Sequence, residues 1–125
     1  MYTIGKRGGC VAETNERWMN MNPSSAYYKM AQDNIKHRFS WEQFIKIMSN
    51  ETSLDGFLRF NENTEKIIDF GFQALQVCMD GGITDDACKN AIKTILVRTD
   101  MEERLLPEEQ IRYSMLRNLY IDIFL

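Results

Sequence analysis

Apolar residues recur every three or four positions along most of the chain and alternate with polar ones only briefly, which is a helical pattern rather than a strand pattern. Asn22-Pro23-Ser24 is a helix start signal. After it, Tyr27, Tyr28, Ala31, Ile35 and Phe39 share one face and predict a helix running to about Arg38. Lys36, His37 and Arg38 then fall in its last turn, where positive charge suits the helix dipole. Ser40 to Gln43 reads as a capping box, so a second helix starts at once, with Trp41, Phe44, Ile45 and Met48 as its buried stripe. Ser53 is read as the cap of a short third helix with Leu54, Phe57 and Leu58 inward, weakened by Gly56.

The most apolar segment is a predicted helix over 64–79. Ile67, Ile68, Phe70, Phe72, Ala74, Leu75, Val77, Cys78 and Met79 cover most of its cylinder, and Asp69, Gln73, Gln76 and Asp80 form one narrow polar line. A face that wide must be covered from several sides, so this helix is expected at the centre of the fold. Gly81-Gly82 ends it, and Thr84 caps the next helix, about 85–98, with Cys88, Ala91, Ile92, Ile95 and Leu96 as its stripe. The short turn predicts an antiparallel hairpin. The last helix starts at Pro107, with Ile111, Met115, Leu116, Leu119 and Ile123 inward.

These elements predict an all-α fold: a compact bundle of about five to six helices around a central helix near residues 64–79. One domain spans 1–125. Residues 1–12, with Gly5, Gly8 and Gly9 and no periodicity, read as a flexible or extended arm, and 14–21 as a short helix anchored by Trp18.

Composition narrows the setting. The sequence has no run near the roughly 20 apolar residues of a membrane span. Nor does an apolar run follow Lys6-Arg7, so no signal peptide is expected. Three cysteines, Cys10, Cys78 and Cys88, form no CxxC pair, which argues for free thiols and a cytoplasmic location. The net charge of −3 is split: residues 1–50 carry 7 basic and 4 acidic side chains, and 51–125 carry 8 and 14.

Candidate chemistry is sparse. His37 is the only histidine, and Lys36 and Arg38 oppose its protonation. The carboxylate pairs, such as Asp85/Asp86 and Glu108/Glu109, sit at helix starts, where acids serve capping and the dipole. No catalytic, cofactor or metal constellation is read from the sequence. The densest acidic stretch, Asp100, Glu102, Glu103, Glu108 and Glu109, is displayed around a turn. With Leu105, Tyr113 and Tyr120 as anchors, it is the expected partner-binding surface.

The expectation is a non-enzymatic protein-binding protein, a small inhibitor such as a toxin-immunity or phage anti-defence protein. Its partner would be a protein, a basic enzyme or nuclease. The alternative is a nucleic-acid-associated regulator using the basic N-terminal half, with Gly5-Lys6-Arg7-Gly8-Gly9 against the backbone.

Overall fold

The structure, a computed structural model, describes residues 22–60, 63–100 and 105–125. Among these residues there are six helices and no strand: α1 Asn22–Asp33, α2 Trp41–Met48, α3 Glu51–Phe60, α4 Thr64–Met79, α5 Asp85–Asp100 and α6 Pro107–Phe124. The sequence readings of the 1–12 arm, the 14–21 helix and Cys10 lie outside the described residues.

The helix starts follow local chemistry. Ser40 Oγ accepts from the Gln43 N–H at 3.2 Å, and the Ser40 N–H donates to Gln43 Oε1 at 3.3 Å, completing the capping box of α2. Asn50, rather than Ser53, caps α3: its Oδ1 accepts from the Ser53 N–H at 2.8 Å, so the helix starts one turn earlier than expected. Thr84 Oγ1 accepts from the Ala87 N–H at the start of α5. Gly81 takes a φ of 84° after α4, the left-handed conformation that closes a helix without a Cβ clash.

α4 is the axis of the bundle, with every residue from Ile67 to Met79 buried. α5 runs antiparallel to it: Cys78 meets Asp85, Cys88 reaches Ala74 O, and Gly71 faces Ile95. α6 runs alongside in the same direction as α4, pairing Thr64 with Glu109, Asp69 with Arg112 and Gly71 with Leu116. The approach at Gly71 is close, because a Cβ there would stand 2.6 Å from Leu116 Cδ2. Aromatic rings close the remaining side: Phe70 packs with Phe39, Phe44 and Phe57 at centroid distances of 5.6, 5.0 and 5.2 Å.

α1 ends at Asp33, one turn before the expected Arg38. Asn34 turns the chain out of the helix: its Nδ2 donates to Met30 O at 2.7 Å and lies 2.9 Å from Met115 Sδ. Residues 34–40 then cross α4 as an irregular strap, so Lys36, His37 and Arg38 lie in that strap and not in a helical last turn.

Candidate interaction surface

The strap is held by the polar line of α4. Asp69 Oδ1 accepts from the Lys36 N–H and Oδ2 from the His37 N–H, each at 3.0 Å. Gln73 Oε1 accepts from the Phe39 N–H at 2.8 Å, and its Nε2 donates to Phe39 O at 2.9 Å. Gln76 accepts from Arg38 Nη2 at 2.7 Å through Oε1, and its Nε2 donates to Tyr28 O and Gln32 Oε1. Asp80 accepts from the Tyr28 hydroxyl at 3.3 Å. The Lys36, His37 and Phe39 N–H groups and the Phe39 carbonyl thereby meet side-chain partners.

Asp69 also accepts from Arg112 Nη2 in a buried ion pair. The guanidinium donates to Asn34 O and lies over the Phe72 ring, 5.9 Å from its centroid. Arg112 Nη1 is buried with no hydrogen-bond partner among the described residues. At the other end of the line, burial pushes the Asp80 carboxyl up, against the opposing effects of Tyr28 and Arg38. Burial, and then the neighbouring Asp80, raise the Tyr28 phenol.

This anchoring delivers Arg38 and Trp41 to the surface beside the C-terminal end of α4. Trp41 was expected in the buried stripe of α2, but it is 56 % exposed; of that stripe only Phe44 is fully buried. The four positions span roughly 100° of α2, and the buried face is centred on the Phe44 and Met48 side, so Trp41 and Ile45 fall on its outer edge. One face of the indole stacks on Phe44, with centroids 5.9 Å apart and planes 19° apart. Its edge lies over Gly82, where a Cβ would come within 3.4 Å of Cη2 and 2.7 Å of Val77 Cγ1. Exposed Ile45, one turn along α2, and exposed Tyr28 extend the apolar surface, and exposed Arg38, Lys46, Glu42 and Asp80 rim it.

The acidic segment is arranged differently from its sequence reading. Glu102 and Glu103 lie outside the described residues, and Asp100 is the last residue of α5. Glu108 is exposed, whereas Glu109 is buried and structural: its Oε1 accepts from Thr64 Oγ1 at 2.8 Å and from the Leu106 N–H at 3.0 Å. Leu105 is half-buried against the core. The other two of the three expected anchors are core residues: Tyr113 is buried with its hydroxyl donating to Leu96 O at 3.2 Å, and Tyr120 is buried against Phe124. The side chains that do project there are Leu106 and Ile111, and Ile111 was expected inward.

His37 Nε2 and Lys36 Nζ meet the Glu65 carboxylate at 3.1 and 3.2 Å; the hydrogen bond from Lys36, then that from His37, holds Glu65 below the usual carboxylate range. This is an exposed ion cluster. An open groove of about 590 Å³ runs between α3 and α5, but Lys93 and Arg98 on its wall are balanced by Glu51 and Asp55. Asp55 itself bridges Arg59 and Arg98. Cys78 and Cys88 are free and buried. Hydrogen bonding with Cys88, and then burial, push the Cys78 thiol far up. No three metal-ligating side chains converge among the described residues, and no described helix is long and apolar enough to cross a membrane.

No family model, curated protein or solved structure matches the chain. Among the described residues, Trp41 is the largest exposed hydrophobic side chain.

Proposed function

We propose that the protein is a non-enzymatic binding protein whose contact with another protein centres on Trp41. One observation carries the reading. The indole stacks on Phe44 through one face and, among the described residues, is more than half exposed, although a hydrophobic core lies directly beneath it. A pre-oriented aromatic ring offers large apolar area at low entropic cost, and Trp, Tyr and Arg dominate the binding energy of protein interfaces. Tyr28, Arg38 and Ile45 supply the rest of such a patch. Arg38 and Lys46 are matched by Glu42 and Asp80 around the patch, so the partner presents an apolar pocket with a mixed polar rim. Within this class we favour an inhibitor of the toxin-immunity or anti-defence type, which acts by occupying a partner's surface. This assignment moves the expected contact from the acidic turn at 100–109 to the surface beside the C-terminal end of α4.

The test is photo-crosslinking from position 45 in the native host, followed by calorimetry on the protein so identified. Trp41→Ala should weaken binding by roughly 30-fold or more, while losing the Phe44 stacking lowers the melting temperature only slightly and leaves the variant folded. Equal affinities for Trp41→Ala and wild type would remove the proposal.

A second reading has its own observation: Trp41 and Tyr28 exposed near Arg38 and Lys46 also resemble a stacking platform for single-stranded nucleic acid. A Trp18→Phe variant isolates the Trp41 fluorescence. Salt-sensitive quenching by an oligonucleotide would favour this second reading over the first.

A further inference from the structure

α6 is apolar on two opposite sides. Its inner face buries Tyr113, Leu116, Leu119 and Tyr120. At roughly 100° per residue, the line Ile111, Ser114, Asn118, Ile121 and Leu125 falls directly opposite. Ile111 is 67 % exposed, Ile121 45 % and Leu125 77 %. These positions follow one another at alternating three- and four-residue spacing, the seam of a coiled coil rather than a random scatter of surface apolars.

Three features specify the occupant of this seam. The seam is continuous over two heptads, so a helix with the same spacing would fit it. Asn118 lies at its centre, in the kind of position where a buried Asn pairs with its own copy and sets a parallel, two-stranded register. The flanks carry exposed Arg117 and Asp122, five residues apart on opposite sides of the seam. In a parallel pair, five residues is the offset between flanking positions that meet across the interface, so Arg117 of each copy meets Asp122 of the other. An antiparallel pair centred on Asn118 gives neither charge an opposite partner.

We propose that the outward face of α6 is a self-association surface, on which two copies of the chain pair their C-terminal helices in parallel and in register. Two of the five seam positions are polar and the seam is short, so the buried area falls well below the roughly 800 Å² per partner of a standard stable interface. The dimer is therefore weak and concentration-dependent. It leaves the Trp41 surface uninvolved and stands independently of the function proposed above.

Sedimentation equilibrium between roughly 10 µM and 1 mM covers the relevant affinity range. A reversible monomer–dimer equilibrium is expected for the wild type. Ile121→Arg should leave a monomer with an unchanged melting temperature; if that variant unfolds, Ile111→Asp serves in its place. Arg117→Asp should weaken the dimer about tenfold, and adding Asp122→Arg should restore it. Orientation is read with a nitroxide on Gln110→Cys in a Cys10→Ser background. The two labels lie side by side in the parallel pair, and are separated by about 24 Å of helix rise in the antiparallel one. A wild type that stays monomeric at 1 mM, a dimer that survives Ile121→Arg, or antiparallel label distances would each overturn the proposal.

Discussion

Gln73 grips Phe39 by both of its main-chain polar groups: the side-chain oxygen accepts from the Phe39 N–H at 2.8 Å and the side-chain amide donates to the Phe39 carbonyl at 2.9 Å. A helix side chain thus imitates a neighbouring strand. Gln73→Ala strands a part-buried donor and acceptor together, and should cost about 2 kcal/mol. Gln73→Glu removes the donor and sets a carboxylate against a carbonyl, so it should cost at least as much. Urea denaturation of the two variants checks both; a Gln73→Glu variant as stable as wild type would contradict the two-ended contact.

The Asp69–Arg112 pair should be asymmetric. Asp69 serves Arg112 and the Lys36 and His37 amides, so Asp69→Ala abandons a buried guanidinium and two N–H groups at once. A loss of about 4 kcal/mol is expected. Arg112→Met leaves the carboxylate two backbone donors and removes the unpartnered Nη1, so it should cost less, about 2 kcal/mol. Denaturation midpoints that rank the two variants the other way would refute this account.

Two helical glycines should respond oppositely to alanine. A Cβ at Gly56 meets nothing within 4 Å, so Gly56→Ala should stabilise by about 0.5–1 kcal/mol through helix propensity and a less flexible unfolded chain. At Gly71 the same Cβ stands 2.6 Å from Leu116 Cδ2, and Leu116 is fully buried. Gly71→Ala should therefore destabilise by about 1–2 kcal/mol, and a double-mutant cycle with Leu116→Ala should show coupling.

Asp80 gives a pH signature. Its folded-state pKa lies above the unfolded one, so the ionised form opposes folding at pH values above both. That penalty lifts as the pH falls through the folded pKa and is gone below the unfolded pKa. Asp80→Asn should raise the melting temperature at pH 7 and make little difference at pH 3, because Asn still accepts from Tyr28. Thermal melts at the two pH values measure this, and a lowered melting temperature at pH 7 would show that the Tyr28 contact outweighs burial.

The thiols should be silent in the folded protein. Cys78 and Cys88 are buried, and the pKa of Cys78 is raised, so a thiol reagent should reach both only after denaturation. Native labelling counted by mass spectrometry, with Cys10 replaced, tests the burial of each. Denaturation midpoints with and without reductant should agree.

The bundle was legible in the sequence because its signals are local. The Ser40 box, the Thr84 cap and the apolar span of 64–79 all depend on residues within a few positions of one another. The end of α1 was not legible. Its apolar spacing continues to Phe39, but the peptide groups of residues 36–39 are taken by side chains more than 30 positions away, which periodicity cannot register. The candidate surface failed for a related reason. Tyr113 and Tyr120 look like anchors in the sequence until α4 and α5 are laid over them, and Trp41 looks like core until Phe44 takes the inward place.

The polar line on α4 bears on how freely this chain can vary. A rod that is oily almost all round has no preferred rotational phase; it could spin or slip by a turn and still sit in oil. Asp69, Gln73, Gln76 and Asp80 act as a spline on that rod, since a turn of roughly 100°, one residue's worth, would drive all four into hydrocarbon. The phase of the axis is thus encoded separately from its greasiness. Leucines, isoleucines and methionines around the rest of the cylinder can be exchanged with local repacking while the bundle keeps its topology, because the orientation of the axis does not depend on them.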